Sequence, residues 1–199
     1  NLVKLINQYK VITETVSSQR KRIHPHKFTL WVAIASIIMM FAGLTSAYIV
    51  KGSLPGWVNI IIPKLFYYST GVMLLSSLTM QMAVKSFKER NMRPYRRWIT
   101  LTALLGAAFI GMQIIAFMQL YNQGVRMEGS GAGQFLYIIF GLHALHVIGG
   151  VIALLVLFFK AFSAKIRSYN PVPLEVVATY WHFVDLLWVY LFVFFLFKV

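Results

Sequence analysis

Five long apolar runs constrain the fold of this 199-residue chain more than any other feature of the sequence. The runs are residues 28–50, 65–84, 98–120, 135–159 and 176–197. Asp185 is the only Asp, Glu, Lys or Arg in any of them. Because a helix needs about 20 apolar residues to cross the hydrocarbon core of a bilayer, each run is a candidate membrane-spanning helix.

The composition excludes a water-soluble enzyme, a secreted domain and a disordered segment. Hydrophobic residues make up 59% of the chain and charged residues 12%, against roughly 25% charged in an ordinary globular protein. All six prolines lie outside the apolar runs, where they do not interrupt helical hydrogen bonding. We therefore predict an all-α polytopic membrane protein. Its bundle of five transmembrane helices would form one domain over 28–199, preceded by a basic segment over 1–27.

The distribution of positive charge predicts the orientation of these helices. The net charge is +14, and Lys and Arg are concentrated in alternate segments: 1–27, 85–97 and 160–175 hold 15 of the 19. Such an alternation follows the positive-inside rule. It places the N-terminus in the cytoplasm and the C-terminus outside, and it argues against a nucleic-acid partner, because the charge follows membrane topology.

Small residues at helical spacing mark candidate faces for helix packing. In lipid, close backbone approach between small side chains contributes strongly to helix association. The candidates are Gly43 and Ala47 in the first run, Ala103, Ala107 and Gly111 in the third, and Gly149 in the fourth.

Four ionisable side chains inside the runs are candidates for a functional site, since such groups are costly in a membrane. They form two i, i+3 pairs, His143 with His146 and His182 with Asp185, and each pair shares a helix face. Metal or haem ligation is one interpretation, but both histidines of the first pair leave the same face of one helix. Hydrogen bonding between helices, or lipid headgroup binding, is the interpretation we favour, and no metal site is predicted.

Other catalytic chemistry finds no support in the sequence. The chain has no cysteine, so it cannot supply a thiolate to an iron–sulfur cluster, a copper centre or a covalently attached haem. It also lacks the GxSxG and GxxxxGK[ST] motifs and a pair of carboxylates. No catalytic residue is predicted.

Two motifs resemble signatures of the haem–copper oxidase subunit III family, also called cytochrome c oxidase subunit III. Residues 180–188, YWHFVDLLW, are similar to the family's YWHFVDxxW, and residues 141–149, GLHALHVIG, resemble its GxHxxHVxxG. Glu175 stands where the family has a Glu at the head of its last helix. The first run, with Phe41, Ala42, Gly43 and Leu44 before Ala47 and Tyr48, resembles FFAGLxxAY.

The resemblance implies the short, five-helix bacterial form of this subunit, in the cytoplasmic (inner) membrane. It implies a subunit without a redox centre that packs against subunit I, while haem and copper lie in partner subunits. It also implies bound phospholipid and a role in assembly and proton uptake. The residues we expect to contact lipid or form polar contacts between helices are His143, His146, Glu175, Trp181, His182 and Asp185.

Two departures and two alternatives accompany this interpretation. Ile37 and Ala116 stand where the family commonly has glutamates, which puts a proton-gathering role of those carboxylates in doubt. The chain could instead be the equivalent subunit of a quinol oxidase or a protein associated with nitric oxide reductase. A more distant alternative is a small transporter, although transporters usually have helices broken by Pro or Gly at mid-membrane.

Overall fold

The computed structural model describes residues 25–52, 63–123, 131–162 and 171–198. These residues form five α-helices and, within these ranges, no strand. The helices are α1 (Pro25–Gly52), α2 (Leu65–Lys88), α3 (Met92–Asn122), α4 (Gly131–Phe162) and α5 (Val172–Lys198). The predicted all-α, five-helix architecture is confirmed, while the predicted N-terminal segment 1–27 lies almost wholly outside the described residues.

The helices are 24 to 32 residues long and extend beyond the predicted apolar runs. Helical hydrogen bonding does not require apolar side chains, so each helix continues into its polar flanks. Prolines lie at the beginnings of helices: Pro25 is the first residue of α1, and Pro94 and Pro173 are in the first turns of α3 and α5. Proline is tolerated there because the first amides of a helix have no intrahelical partner.

Four of the helices, all except α2, are long and apolar enough to cross a membrane. Helix α2 is more polar because it carries hydroxyl side chains, but it is 24 residues long. At about 1.5 Å per residue it spans about 36 Å, more than the roughly 30 Å of a hydrocarbon core. The chain is a multi-pass membrane protein.

A tight turn joins α2 to α3 and makes them antiparallel neighbours. The amide of Asn91 donates to the carbonyl of Ser86, and the amide of Arg90 donates to that of Phe87, both at 3.0 Å. This is a Schellman arrangement, in which the residue after the helix cap is left-handed. Arg90 occupies that position with φ +58°, a conformation usually taken by glycine.

Helix α5 lies at the centre of the bundle, in contact with α1, α2 and α4. Its two tryptophans, Trp181 and Trp188, are the largest fully buried side chains. Trp188 packs against the rings of Phe66, Phe109 and Phe140 with centroids 5.2–5.7 Å apart. The motif YWHFVDLLW therefore supplies the core of the bundle as well as its polar groups.

The outer surface of the bundle is apolar, as a bilayer or a membrane partner requires. Large hydrophobic side chains such as Met39, Tyr68 and Phe197 are more than two-thirds exposed. Arg96 closes one end of the bundle: its Nε donates to the carbonyl of Ala161 at 2.8 Å, and its guanidinium lies 5.5 Å from the ring of Phe162. A cation at the carbonyl end of α4 also complements the helix dipole.

Candidate functional site

A charged cleft opens where the first turns of α1 and α5 meet the last turn of α2. Glu175 accepts hydrogen bonds from two lysines: Lys27 Nζ lies 2.8 Å from one carboxylate oxygen and Lys88 Nζ lies 2.9 Å from the other. The three residues are far apart in the sequence, and the one carboxylate joins three helices. Because two cations surround a single anion, the cleft retains a net positive charge.

The cleft has a volume of about 460 Å³ and combines charged and apolar walls. Trp31, Leu30 and Val84 line it beside Glu175 and the two lysines, and the half-buried His182 lies deeper along α5. Each lysine ammonium has three donor hydrogens and uses one on Glu175, so further donors face the cleft. Such a site can bind an anionic headgroup with an apolar tail beside it.

His182 is held by α2 and does not pair with Asp185. Its Nδ1 shares a hydrogen bond of 2.6 Å with Ser77 Oγ. The indole of the adjacent residue, Trp181, donates to Ser76 Oγ at 3.1 Å, and about two turns further along α5 Trp188 donates to Thr70 Oγ1 at 3.0 Å. Three side chains of α5 are therefore hydrogen-bonded to three hydroxyl groups of α2.

Other hydroxyls of α2 hold α3 by the same kind of hydrogen bond. Gln113 Nε2 donates to Ser69 Oγ at 3.1 Å, and the hydroxyls of Thr79 and Thr102 share a hydrogen bond of 2.9 Å. The hydroxyl groups of α2 therefore connect this helix to both α3 and α5. The signal in the sequence is a run with an unusual number of Ser and Thr residues, which the prediction did not use.

Asp185 is 3% exposed, and neither of its carboxylate oxygens has a hydrogen-bond partner among the described residues. Within the same ranges, no Lys, Arg or His nitrogen lies within ion-pair distance of it. The possibility that His182, one turn away, holds Asp185 is thus not realised. Ser77, which forms a hydrogen bond with the imidazole of His182, is a polar group that also acts on the carboxylate of Asp185.

The two histidines of α4 lie beside α1 and α5. His143 is 2% exposed and stacks on Trp188 with ring centroids 5.2 Å apart. His146 lies edge-on to Phe41 at 5.9 Å, and its Nδ1 donates to the carbonyl of Leu142 at 2.7 Å. Tyr180 of α5 donates to the carbonyl of His146 at 3.1 Å.

The structure does not bring the four ionisable groups together. His143 and His146 face the rings of α1 and α5, whereas His182 faces α2 and the charged cleft. In the part of the chain that the structure describes, no group of three or more His, Asp or Glu side chains could hold a metal ion.

The small residues proposed for helix packing lie mostly on the outside. Gly43, Ala107, Gly111 and Gly149 are exposed, and Ala47 and Ala103 are partly buried. A Cβ at Gly43 or Gly111 would meet nothing within 4 Å in the described structure. Their packing role stays a prediction, which in this chain would concern contacts with lipid or another subunit.

Close packing inside the bundle depends instead on Gly106 and Gly150, which enclose Trp181. A Cβ at Gly106 would lie 2.9 Å from Trp181 Cη2, and one at Gly150 would lie 3.1 Å from its Cε3. Both glycines are absent from the predicted set. Their spacing gives no sign of this role, because the contact is with a bulky side chain and not with another small one.

The fold and the site define a class: a multi-pass helical membrane protein whose polar residues hold helices together beside a charged cleft. Comparison with known proteins is more specific. Residues 21–198 match the model of the family described as cytochrome c oxidase subunit III. The chain belongs to this family, and it is the subunit III of a terminal oxidase.

Individual relatives agree. The chain is 34% identical over 187 residues to the probable cytochrome c oxidase subunit 3 of Nocardia farcinica, covering 88% of this chain and 92% of that protein. It is 33% identical over 165 residues to the probable subunit 3 of Mycobacterium leprae, covering 81% and 82%. It is 27% identical over 166 residues to the subunit 3 of Bacillus sp. strain PS3, covering 81% and 80%.

Proposed function

We propose that this chain, as part of an oxidase complex, packs against subunit I and holds an anionic phospholipid that stabilises the assembly. The chain itself would carry no redox centre; haem and copper would lie in partner subunits. The complex would reside in the bacterial cytoplasmic membrane, with the N-terminus of this chain inside and its C-terminus outside. Support for this orientation comes from the alternation of basic segments along the sequence.

The single observation that supports lipid binding is the pair of ion pairs at Glu175. Lys27 and Lys88 are 41% and 56% exposed at their side chains although each contacts the carboxylate. Basic side chains near a membrane surface attract anionic lipid by about 1 kcal/mol each. The exposed Trp31 at the cleft adds an amphipathic ring of the kind found at membrane interfaces.

The experiment compares phospholipid retained by the purified oxidase complex, measured by native mass spectrometry and lipid extraction. Replacing Lys27 and Lys88 by Gln removes two cations, and we expect phosphatidylglycerol to bind ~30-fold more weakly. Replacing Lys51 and Lys64 by Gln changes the net charge equally at the other ends of α1 and α2, and should leave retention unchanged.

Glu175→Gln separates lipid binding from a purely structural role of the ion pairs. This variant loses both ion pairs but leaves both lysines for the lipid, so anionic lipid should be retained or increase. If Glu175→Gln loses lipid as strongly as the double lysine variant does, the cleft does not recognise the headgroup by charge. Equal lipid content in all variants would also overturn the proposal.

A further inference from the structure

Two further polar side chains line the charged cleft, Gln81 of α2 and His182 of α5. Seven residues separate Gln81 from Lys88 along α2, and seven separate His182 from Glu175 along α5. At about 1.5 Å per residue, each lies about 10 Å further into the bundle than the charged group on the same helix. The cleft therefore has two polar layers, a charged one at its mouth and a neutral one deeper in the membrane.

Gln81 brings an amide without a partner to the deeper layer. It is exposed although it lies within the apolar run 65–84, and it forms no hydrogen bond with another described side chain. An amide in an apolar setting is costly unless its polar atoms are hydrogen-bonded. Its NH2 group offers two donors, which are free to bind a molecule in the cleft.

His182 supplies a second donor in the same layer. Its Nδ1 lies 2.6 Å from Ser77 Oγ, and the oxygens of Asp185 have no partner within hydrogen-bond distance, so Nδ1 accepts the Ser77 hydroxyl hydrogen. An imidazole that accepts at Nδ1 carries its hydrogen on Nε2. This Nε2 has no hydrogen-bond partner in the described ranges and is not among the fully buried atoms there. It can therefore donate to a ligand in the cleft.

Two cations above two neutral donors match the chemical order of a glycerophospholipid. The phosphate carries the negative charge, and the acyl ester carbonyls, which accept hydrogen bonds, come next before the hydrocarbon chains. The interfacial layer of a bilayer is about 5–7 Å thick on each side. Long side chains such as those of Lys88 and Gln81 can adapt to that depth from backbone positions about 10 Å apart. The apolar Leu30 and Val84 line the same cleft and can contact the chains.

We propose that Gln81 and His182 donate hydrogen bonds to an acyl ester carbonyl of the phospholipid whose phosphate lies at the two lysines. The ester contact rests on the proposed function and makes the site selective for the linkage between glycerol and chain. An ether-linked phospholipid has the same headgroup and chains but no carbonyl oxygen. The site should therefore prefer ester-linked to ether-linked lipid.

The test compares two phosphatidylglycerols with chains of equal length, one ester-linked and one ether-linked. Both are added in equal amounts to the purified oxidase complex, and native mass spectrometry measures the ratio in which they are bound. The lipid lost when Lys27 and Lys88 are replaced by Gln identifies the fraction at this cleft. In that fraction we expect the ester-linked lipid to bind about fivefold more tightly for one hydrogen bond and about thirtyfold for two.

Replacing Gln81 by Leu removes the amide from the deeper layer. We expect the preference for the ester-linked lipid to fall about fivefold, while the lysines still retain phosphatidylglycerol. Gln81→Ala removes the same amide with a smaller side chain, and it should give the same result. Gln119→Leu, at an exposed position on α3 outside the cleft, is the matched control and should keep the preference of the parent.

Two replacements of His182 separate its contact with Ser77 from its contact with the lipid. Asn places an amide near the position of Nδ1, so it keeps a partner for Ser77 and loses the donor at Nε2. Gln places its amide near the position of Nε2 and keeps that donor. The ester preference should fall about fivefold in His182→Asn and stay near the parent value in His182→Gln. Retention of the subunit after heating, which reports the Ser77 contact, should show the opposite order.

The headgroup and the ester contact can fail separately. Equal binding of the two lipids by the parent complex would overturn the ester contact while leaving the lysine site intact. An ester preference that survives in both Gln81→Leu and His182→Asn would also overturn it, because these donors would then not be its source. If replacing Lys27 and Lys88 releases no lipid, the proposed function fails and the ester contact fails with it.

Discussion

Ser77 of α2 lies 2.6 Å from the imidazole of His182 on α5, at the boundary between the charged cleft and the packed core. The hydrogen bond occupies Nδ1 and fixes the orientation of the ring. It therefore directs His182 towards α2 and not towards Asp185, which is three residues away on the same helix. The hydroxyl of Ser77 thus determines which helix the imidazole of His182 contacts.

Removing this hydroxyl should loosen α2 from α5. Hydrogen bonds between membrane helices contribute about 0.6 kcal/mol on average and up to about 1.7 kcal/mol. We expect Ser77→Ala to lower the stability of the subunit within that range, measured as the fraction retained on the oxidase after graded heating in detergent. Ser46→Ala, at an exposed position on α1, is the control. Identical retention curves for the two variants would contradict a stabilising role for this contact.

Gly106 and Gly150 should tolerate no side chain, whereas Gly111 should. A methyl group at Gly106 would lie 2.9 Å from Trp181, a buried ring with little room to move. Overpacking a core typically costs about 1–3 kcal/mol, so Gly106→Ala should reduce heat resistance clearly and Gly150→Ala less.

The matched control is Gly111→Ala, five residues further along the same helix. Nothing in the described structure lies within 4 Å of its Cβ, and alanine is favoured over glycine in a helix by about 1 kcal/mol. This variant should be as stable as the parent or more so. Equal loss of stability at Gly106 and Gly111 would show that Trp181 is not tightly enclosed.

The sequence was sufficient to predict the helices, because membrane burial imposes long apolar runs that hydrogen-bond internally. The contacts between helices were harder to predict from the sequence. Small residues at four-residue spacing indicated packing at Gly43 and Gly111, yet both face outwards, since periodicity identifies a face of a helix but not its neighbour. Gly106 and Gly150 are required because the large side chain of Trp181, on another helix, packs directly against them. Their own spacing in the sequence does not reveal this contact.

The polar residues illustrate the same limit. The two motifs drew attention to His143, His182 and Asp185, because ionisable side chains are costly inside a membrane and are easily recognised in an apolar sequence. Their partners were not visible, because Ser77 is 105 residues from His182 and Trp188 is 45 residues from His143, on other helices. The i, i+3 spacing suggested that His182 pairs with Asp185 within α5. Instead, the hydroxyl of Ser77 on α2 forms the hydrogen bond with His182.

His143 should be needed for packing and not for a redox centre. Its ring stacks on Trp188, and truncating a large buried side chain typically costs about 2–5 kcal/mol. We expect His143→Ala to weaken retention of the subunit while the haem absorption spectrum of the oxidase stays unchanged. His143→Phe, which keeps a stacking ring, should restore much of the retention. Loss of a haem band in either variant would assign His143 to a cofactor.

The orientation in the membrane can be tested with single cysteines, because the chain has no native thiol. Asn91 and Gln123 flank α3 and are exposed, so they must lie on opposite sides if α3 spans the bilayer. We expect an impermeant thiol reagent on intact cells to label Gln123→Cys and not Asn91→Cys, with both labelled after permeabilisation. The reverse pattern would overturn the orientation that the basic segments predict.

Asp185 provides the test of whether the remaining acid inside the spans acts in turnover or in structure. It has no ion-pair partner in the described ranges, so its replacement by Asn breaks no ion pair and preserves the size of the side chain. We expect Asp185→Asn to leave the initial rate of oxygen consumption within about twofold of the parent, a change of about 0.4 kcal/mol in barrier. Any effect should emerge as slower assembly or a shorter active lifetime.

The comparison with Asp185→Leu makes this experiment decisive. Leucine removes both oxygens, so a structural role through polar interaction with Ser77 predicts that retention falls in Asp185→Leu but not in Asp185→Asn. A role in proton transfer predicts instead that both variants lose activity at once while the subunit remains bound, because neither side chain can release a proton. The initial rate of oxygen consumption distinguishes the two roles when it is measured on complexes whose subunit content has been quantified. An immediate large loss in Asp185→Asn would show that this carboxylate takes part in turnover.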